Sequence, residues 1–514
     1  MPFSRRAVLQ AGRDLALLGI ALRSGLVDAA AQDAPLFADS APFNDDFVLE
    51  TARALAKKPY VEEKIPMPPG LEKLTYDQYR DIRFNPDKSF WKGEKHGFSF
   101  DLFHSGFYYS SPVDIYVVTE GEQAKLNYVP DLFTFGPLVP KPQGNADLHY
   151  SGFRLRYPIN TRDYFDEFCV FQGASYFRAV GKGHLYGQSA RGLAIDTGEP
   201  NGEEFPFFRA FWLKKPQDDA AAIVIHALLE SPSATGAYRF TVRPGATTQM
   251  DVEMTIFPRR DLEHFGIAPL TSMYLFDAMN HATFDDYRPA VHDTDGLMML
   301  TGSGEWLWRP LSNPSSLQVS AFTDNNLGGF GLMQRKRNFA NFDDLEAKYE
   351  RRPSLWVEPI GDWGQGFVEL YEIPTRVEIH DNIAVFWHPK QKLTAGSSAS
   401  YVYRLYWCDE WPIGGKAQLA LARQSGTGLN LKQNLRLFVI EFAGGDISGD
   451  VIAEVTASQG QISNVVVQPN SQTGGLRLSF EVDLADIDIS EIRALLKRGT
   501  DRVSETWLYR WTKS

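Results

Sequence analysis

Apolar and polar residues alternate along most of this chain with a period of two. The clearest stretch covers residues 220–258, in which three alternating apolar sets are separated by Ser231-Pro232 and Pro244-Gly245. The sets are Ala221, Ile223 and Ile225; Tyr238, Phe240 and Val242; and Val252, Met254 and Ile256. Successive side chains of a strand point to opposite faces, so this period predicts half-buried strands. We expect an antiparallel meander, with the Pro and Gly positions as its turns.

Similar runs recur from Phe98 almost to the C-terminus, without a regular alternation of strands and helices. The 42 Gly and 30 Pro residues break them into short segments. This pattern predicts an all-β protein with β-sandwich architecture. Two short helices are also expected, at residues 47–58 from apolar residues at helical spacing, and at 490–498, where Gly499 would be the C-cap.

The composition changes within residues 389–400, where lysines and small residues follow a dense aromatic block. We place a domain boundary there, with a large domain at residues 32–392 and a smaller one at 398–514. The smaller domain should hold about six or seven strands, which suits an immunoglobulin-like sandwich. Those strands are predicted at 401–406, 435–442, 451–455, 462–467, 476–482 and 506–511.

The first 31 residues have the composition of a secretory signal peptide. Arg5-Arg6 precede a short apolar run at residues 15–22, which Arg23 ends, and Ala29-Ala30-Ala31 follow. A membrane-spanning helix needs ~20 apolar residues, so no stable membrane anchor is expected. Paired arginines are typical of the twin-arginine (Tat) address. The sequence therefore predicts residues 1–31 to be a cleaved Tat signal, the Tat machinery to be a partner, and the periplasm to be the destination.

Charge and cysteine content exclude several function classes. The 52 Lys and Arg against 64 Asp and Glu give a net charge of -12, and an acidic surface repels nucleic acid. Cys169 and Cys408 are far apart and form no CxxC pair, so we expect both to be buried and inert. No cofactor and no metal site are expected, and His380 and His388 are interpreted as surface or hydrogen-bonded histidines. Aromatic residues make up 13% of the chain, which favours a carbohydrate ligand.

Acidic residues next to tryptophans form the first candidate site. Asp293 and Asp295 are predicted to share a strand face, shortly before Glu305, Trp306 and Trp308. Hydrolysis of a glycosidic bond needs one carboxylic acid to protonate the leaving oxygen and a second group to activate water or attack directly. The alternative is structural, with the aspartates in a turn and the tryptophans in the core. The segment also resembles a fragment of a calcium loop, but the downstream oxygen ligands are missing.

The second candidate lies in residues 377–387. If this segment is one regular strand, Asp381 lies on an apolar face with Ile379 and Ile383, while Glu378 and His380 point the other way. Burial on such a face would raise the pKa of the Asp381 carboxyl, as a general acid requires. The alternative is a strand-end aspartate that closes a turn with Asn382.

Five segments in this order together resemble the glucans biosynthesis protein D/G family, which serves osmoregulated periplasmic glucan synthesis. The resemblance runs from about residue 34 to the C-terminus, and the twin-arginine leader favours the D branch. It implies a large galactose-mutarotase-like β-sandwich followed by a small immunoglobulin-like β-sandwich. The segments are Tyr76-Asp77-Gln78-Tyr79-Arg80, Asp286-Tyr287-Arg288-Pro289, His292-Asp293-Thr294-Asp295-Gly296, Gly304-Glu305-Trp306 and Asp381-Asn382-Ile383.

The resemblance also implies an activity on β-1,2-glucan, as an anomer-inverting endo-β-1,2-glucanase. Asp381 matches the general acid, and Asp293, or failing it Asp295, matches the base; Tyr349 and Glu378 match nearby site positions. Predicted substrate-binding residues are Glu305, Trp306, Trp308, Arg309 and Trp363. Two alternatives stay open, a cyclising β-1,2-glucan transglycosylase and a non-catalytic glucan-binding or scaffolding protein. The sequence also leaves a homodimer open.

Overall fold

The computed structural model describes residues 35–63, 67, 71, 73–139, 148–409, 419–425, 435–443 and 449–513. The predicted signal peptide lies outside these residues. Two α-helices are present in the described part, α1 Phe47–Ala56 and α2 Tyr76–Arg80, and α1 confirms the helix predicted at 47–58. Short 3-10 turns cover Pro86–Lys88, Pro130–Leu132, His281–Thr283, Phe339–Asn341 and Tyr349–Arg351.

Strands form the rest of the regular structure, and this confirms the all-β class. In chain order they are β1 Ala41–Pro42, β2 Ile82–Phe84, β3 Ser99–His104, β4 Asp114–Thr119, β5 Glu122–Lys125, β6 Phe133–Phe135, β7 Tyr150–Thr161, β8 Tyr164–Gln172, β9 Tyr176–Ala179, β10 Ser189–Arg191, β11 Leu193–Ile195, β12 Phe207–Lys214, β13 Ile223–Glu230, β14 Ala234–Arg243, β15 Thr248–Pro258, β16 Phe265–Ser272, β17 Tyr274–Phe276, β18 Val291–His292, β19 Gly296–Leu300, β20 Trp306–Pro310, β21 Gln318–Asn325, β22 Gly329–Met333, β23 Ser354–Ile360, β24 Gln365–Glu372, β25 Ile383–Pro389, β26 Ala399–Cys408, β27 Leu419–Ser425, β28 Leu435–Ala443, β29 Ile452–Ala457, β30 Gln461–Asn470, β31 Gly475–Asp483, β32 Ile489–Arg498, β33 Asp501–Arg502 and β34 Thr506–Thr512.

Two large sheets organise the chain. The first has 16 strands, in the order β1-β5-β4-β12-β13-β14-β15-β26-β23-β22-β19-β20-β34-β32-β29, with β33 beside β32. It contains the predicted meander, because β13, β14 and β15 pair antiparallel in sequence. The second sheet has ten strands, in the order β21-β24-β25-β16-β10-β9-β8-β7-β3, with β11 beside β16.

The main hydrophobic core lies between these two sheets. It is built from alternate side chains of both, and rings cross the gap between them: Phe153 of the ten-stranded sheet meets Phe211 of the other edge to face, with centroids 5.0 Å apart. Phe177 meets Phe240 in the same way at 5.3 Å. Because strand side chains alternate, the neighbours of these core residues point outward. The ten-stranded sheet therefore has an outer face that carries polar and aromatic side chains.

The C-terminal strands enclose a second core. Phe438, Phe480 and Trp507 pack there against Trp308 and Trp356 of the large sheet. The four-stranded sheet β27-β28-β31-β30 forms one layer, and β34 and β32 extend the large sheet to form the other. The register Leu307↔Thr506 joins β34 to β20 in parallel, so the second sandwich grows directly from an edge of the first sheet.

Two predicted elements differ from the structure. Residues 490–498 are not a helix but strand β32, which lies between β29 and β34. Its backbone pairs with both neighbours, and Ile492, Ala494 and Leu496 are buried in the second core. This tertiary packing overrides the helical propensity of the sequence. The strand predicted at 401–406 exists, but it pairs with β15 and β23 of the large sheet. Strand β26 ends at Cys408 in the large sheet, and the next strand, β27, belongs to the four-stranded sheet. The division into two domains stays a prediction.

Two further predictions concern the cysteines and membrane-spanning helices. Cys169 and Cys408 are both free and buried, as predicted. In the part of the chain that the structure describes, no helix is long and apolar enough to cross a membrane.

Candidate active site

One loop carries two of the predicted site residues, Glu378 and Asp381. It connects the adjacent strands β24 and β25, whose register closes at Glu372↔Ile383. Asn382 fixes the loop base, since its side chain donates to the Ile373 carbonyl at 2.9 Å and accepts from the Tyr274 amide at 2.8 Å. The predicted regular strand over residues 377–387 is therefore wrong in its first half. The strand begins only at Ile383, and face parity does not apply to residues 377–381.

Asp381 does not lie on an apolar face. Its side chain is 34% exposed, and its carboxylate oxygen lies 3.6 Å from Nη2 of Arg178 on β9. Arg178 is itself held by Nε, which donates to the Ser189 hydroxyl at 2.6 Å. The buried environment predicted for Asp381 is therefore wrong, because its loop leaves the sheet before the core begins. Its carboxyl group is accessible from solvent on the outer face of the ten-stranded sheet.

Glu378 lies in a polar cluster with Arg288 and Tyr349. Arg288 Nη1 donates to the Glu378 carboxylate at 2.9 Å and to Asp344 at 2.8 Å, and the Tyr349 hydroxyl donates to Glu378 at 3.1 Å. Arg288 also binds Asp286 through Nη2 at 2.8 Å. Although burial opposes the charge, the hydrogen bonds to Asp286 and Asp344 raise the pKa of Arg288. Strand parity had placed Glu378 away from the site, but the loop turns it inward.

Asp293 is buried and paired with Arg352. The Arg352 guanidinium donates to the Asp293 carboxylate and lies over the Tyr349 ring, 4.3 Å from its centroid. Burial acts against the charged guanidinium, but the charges of Asp293 and Tyr349 outweigh it and raise the pKa of Arg352. Gly187 leaves the space that Arg352 needs, because a Cβ at residue 187 would lie 2.9 Å from the Arg352 Cβ. A continuous set of contacts thus joins Asp293 through Tyr349 to Glu378.

The strand pairing brings the two acidic segments to the same end of the ten-stranded sheet. Ile383, two residues after Asp381, pairs with Ser272 of β16. The next residue, Met273, accepts a hydrogen bond through its carbonyl from the Asp293 amide at 2.8 Å. Asp381 and Asp293 are far apart in sequence, and these pairings bring their segments to the same end of the sheet.

Asp295 and Asp293 contact different residues. The two do not share a strand face, since residues 293–295 lie between β18 and β19. Asp295 accepts a hydrogen bond from the Arg335 amide at 3.1 Å, and burial raises its pKa. A calcium loop needs both carboxylates to point at one ion. Because Asp293 and Asp295 have different partners, this segment does not form such a loop.

The predicted substrate-binding residues lie in the interior or at the second sandwich. Trp308 is 3% exposed, and its ring lies under the Arg335 guanidinium at 3.5 Å. A ring buried to this degree offers no face to a sugar. Trp306 is half-buried and packs on the second core beside Trp356, with centroids 6.1 Å apart. The sequence pattern placed both tryptophans on one strand face, and that face is the one the C-terminal strands cover.

Arg309, Trp363 and Glu305 also have structural partners. Arg309 is buried and donates to Glu372 at 3.1 Å, and Trp363 is buried and donates to the Val402 carbonyl at 3.2 Å. Glu305 accepts from Arg493 at 2.6 Å. The first two belong to the large sandwich, and Glu305 connects it to the C-terminal strands. These contacts correspond to the structural alternative that the sequence left open.

Comparison with known proteins decides the family. A family model described as "Periplasmic glucan biosynthesis protein, MdoG" matches residues 43–511. The chain belongs to this family. It is 52% identical over 480 residues to Glucans biosynthesis protein G 1 of Shewanella oneidensis, covering 93% of this chain and 88% of that protein. It is 51% identical over 501 residues to Glucans biosynthesis protein G of Bradyrhizobium diazoefficiens, covering 96% and 99%.

A third relative, Glucans biosynthesis protein G of Shewanella frigidimarina, is 53% identical over 480 residues, covering 93% of this chain and 86% of its own length. The family resemblance inferred from the sequence motifs is therefore confirmed. These three relatives carry the G name, whereas the D-branch assignment depends on the leader alone and stays a prediction. Membership of this family implies a role in periplasmic glucan biosynthesis.

Sequence reasoning missed three arginines of the site. Arg288 lies in the family motif Asp286-Tyr287-Arg288-Pro289 but received no role, and Arg178 and Arg352 lie in no motif. Each binds a carboxylate that is remote in sequence. The position of Arg288 in the family motif was a signal that the sequence offered, whereas the partners of Arg178 and Arg352 are remote in the chain.

Proposed function

We propose that this protein is a periplasmic endo-β-1,2-glucanase that inverts the anomeric configuration, with Asp381 as general acid and Asp293 as base. The observation that carries the proposal is the juxtaposition at one end of the ten-stranded sheet. A solvent-accessible carboxyl group on the β24–β25 loop lies at the same end of the sheet as a buried acid, which contacts that loop through Arg352, Tyr349 and Glu378. Two acids in different surroundings suit the two roles of a glycoside hydrolase.

Asp381 would protonate the glycosidic oxygen. Without substrate its carboxylate lies 3.6 Å from Arg178 Nη2, and the side chain is 34% exposed. A bound glucan would cover the exposed side chain and exclude water. Desolvation favours the neutral acid. Substrate binding would therefore give Asp381 the desolvated environment that the loop alone does not provide.

Asp293 is better suited than Asp295 to accept the proton of the attacking water. A base must be ionised, and Arg352 stabilises the Asp293 carboxylate, whereas burial favours the protonated form of Asp295. Asp293 is also buried, so the proton would reach it through water along the Tyr349 and Glu378 side. An inverting enzyme requires room for water between its two acids, and a relay of this kind fits that requirement.

Glucan binding would use aromatic residues near Asp381 in place of the buried tryptophans. Arg191 lies between Tyr176 and Phe205, 5.2 Å and 5.1 Å from the ring centroids. Phe205 is 53% exposed. Burial raises the pKa of Tyr176, and the charges of Glu203 and Asp381 contribute in the same direction. Tyr176 therefore keeps its hydroxyl proton for hydrogen bonding close to the general acid.

The decisive experiment is incubation of the purified mature protein with linear β-1,2-glucan. Shorter linear products whose new reducing ends are initially α-anomers, observed by NMR, would support the proposal. Cyclic products would support the transglycosylase, the alternative that the word biosynthesis in the relatives' names favours. Binding of glucan without any product would support a scaffolding role. Size-exclusion chromatography with light scattering of the same sample would test the homodimer.

Export can be tested separately. We propose that the Tat machinery recognises Arg5-Arg6 and delivers the folded protein to the periplasm. Replacing both residues with lysine should retain the precursor in the cytoplasm. Unchanged recovery in the periplasmic fraction would rule out this route.

A further inference from the structure

A cluster of two histidines and a glutamate lies on β24, β25 and the residue before β16, away from the loop that carries Asp381. Glu369 is on β24, His388 is on β25, and His264 immediately precedes β16, which is the next strand of the sheet. Among the described residues, these three form the group whose potential metal-ligand atoms all lie within 4.8 Å of one another. Oε2 of Glu369 is 2.9 Å from Nε2 of His264, and Oε1 is 3.4 Å from Nδ1 of His388.

The protonation of His388 is fixed by a backbone carbonyl. Nε2 lies 3.0 Å from the carbonyl oxygen of Glu263. A carbonyl only accepts, so Nε2 carries the proton of the neutral ring. Nδ1 then presents a lone pair, is buried, and makes no hydrogen bond. It faces the carboxylate of Glu369, so two acceptors are directed at each other.

His264 lies between two carboxylates and a hydroxyl group. Its Nδ1 lies 3.3 Å from Oε1 of Glu199, and its Nε2 lies 2.9 Å from Oε2 of Glu369. The hydroxyl oxygen of Tyr371 lies 3.1 Å from both Glu369 Oε2 and His264 Nε2. Two imidazole nitrogens, a carboxylate and a hydroxyl group thus converge in one cluster.

We propose that His264, Glu369 and His388 bind a zinc ion. Two imidazole nitrogens and one carboxylate oxygen are ligands that Zn²⁺ prefers, with water or the Tyr371 hydroxyl in the fourth position. Ligand atoms of a tetrahedral zinc at ~2.0–2.1 Å lie roughly 3.3 Å apart, and the two histidine–glutamate separations of 2.9 Å and 3.4 Å are close to this value. Zinc-binding histidines typically direct their other N–H at a carbonyl or carboxylate, and Glu263 and Glu199 supply these acceptors.

The proposed zinc would be structural. Strand residues advance by ~3.3 Å each, which puts His388 roughly 20 Å from the loop that carries Asp381. The ion would connect β24, β25 and the segment before β16 on the outer face of the sheet. This proposal replaces the sequence-based interpretation of His388 as a histidine without a metal.

The test is zinc binding to the purified mature protein after removal of metals with EDTA. Isothermal titration with ZnCl₂ should show one ion per chain. The variants Glu369→Gln and His264→Gln/His388→Gln should lose more affinity than the roughly 10–100-fold that loss of an outer partner typically costs. Glu263→Gln is the matched control, because only the backbone carbonyl of Glu263 faces the cluster. Cobalt(II) in place of zinc should give the visible absorption of a tetrahedral site in the parent protein.

Two results would overturn the proposal. One is a parent protein that binds no zinc; the other is a double histidine variant that binds zinc as well as the parent does. Either would mean that the three side chains form a hydrogen-bonded network only. If the ligand variants fail to fold, Glu199→Gln decides the matter. Its side chain is half exposed, and its loss should weaken zinc by about 10–100-fold while leaving the ligands in place; unchanged affinity would count against the site.

Discussion

Arg178 lies on β9 and Asp381 lies in the loop before β25, two strands that are not adjacent in the sheet, yet Nη2 of Arg178 is 3.6 Å from the Asp381 carboxylate. Strands β16 and β10 lie between the two residues in the sheet. The Arg178 guanidinium donates a hydrogen bond to the hydroxyl of Ser189, which is on β10. Asp293 also has an arginine partner, Arg352, but that pair is buried. The site therefore contains two acid–arginine pairs, one open to solvent and one closed. This difference assigns proton donation to the first pair and proton acceptance to the second in the proposed mechanism.

Asp381→Asn should lower kcat on linear β-1,2-glucan by about 10²–10⁴-fold, the usual contribution of general acid–base catalysis. The side chain is partly exposed and lies in a loop, so folding should be intact. Reducing-end release at saturating substrate measures kcat. Asp218→Asn, an exposed aspartate in a loop outside the site, is the matched control. A native rate in Asp381→Asn would contradict the assignment.

Arg352→Met should destabilise the fold by about 3–5 kcal/mol, because it leaves the buried Asp293 carboxylate without a partner. Asp293→Asn combined with Arg352→Met should cost less than the sum of the two single changes, since the double variant holds no uncompensated charge. Urea unfolding of the four proteins gives the coupling energy. Additive effects would show that the two side chains do not depend on each other.

Tyr349→Phe should remove the hydrogen bond to Glu378 and keep the ring beneath Arg352. Such a bond to a charged group is worth ~1.5–3 kcal/mol, which corresponds to about 10–100-fold in rate if the transition state depends on it. We expect kcat to fall with little change in KM. Tyr164→Phe, at an exposed tyrosine, controls for the loss of a hydroxyl. A change confined to unfolding free energy would show Tyr349 to be structural only.

The sequence predicted the fold class well because period-two alternation is a local signal. The meander at 220–258 and most of the C-terminal strands lie where their patterns placed them. The failure at residues 490–498 has a physical cause. Ile492, Ala494 and Leu496 are buried in alternation, but Leu495 is buried as well. A strand covered on both faces lacks a clean period of two, so the segment resembled a helix.

The site was only half predictable. The acids Asp293, Glu378 and Asp381 could be selected from motifs, whereas their environments depend on contacts remote in sequence. Residues 377–381 alternate as a strand does, yet Asn382 ends the loop and removes the predicted face. Arg352 reaches Asp293 although β18, which precedes Asp293, and β23, which follows Arg352, belong to different sheets. Local pattern contains no information of this kind.

Trp308→Ala should affect stability and not substrate affinity. Its ring packs in the second core beneath Arg335, and removal of a large buried ring typically costs about 3–5 kcal/mol. Phe205→Ala should do the reverse, raising KM with little loss of stability, because the ring is exposed beside Arg191. Thermal unfolding and KM measured on both variants test this contrast. A raised KM in a Trp308→Ala protein of native stability would restore the tryptophan to the binding site.

Acidification should destabilise the protein between pH 6.5 and pH 4 through two buried histidines. Burial lowers the pKa of His104 to about 4, despite its hydrogen bond to the Ser105 carbonyl, and burial likewise lowers that of His226 to about 4. An unfolded histidine titrates near ~6.5, so between these values the unfolded chain binds more protons than the folded one. The stability contribution is complete above pH 6.5 and is lost as the pH falls toward 4, by up to about 3 kcal/mol for each histidine.

Urea unfolding of the parent and of His104→Gln/His226→Gln at several pH values tests this. The double variant is expected to lose less stability than the parent over the same interval, whatever its absolute stability at neutral pH, since glutamine does not titrate. His380→Gln, at an exposed histidine, is the matched control for the loss of an imidazole ring. Equal slopes in the parent and the double variant would mean that both histidines are protonated without cost in the folded state, and that acid sensitivity arises from other groups.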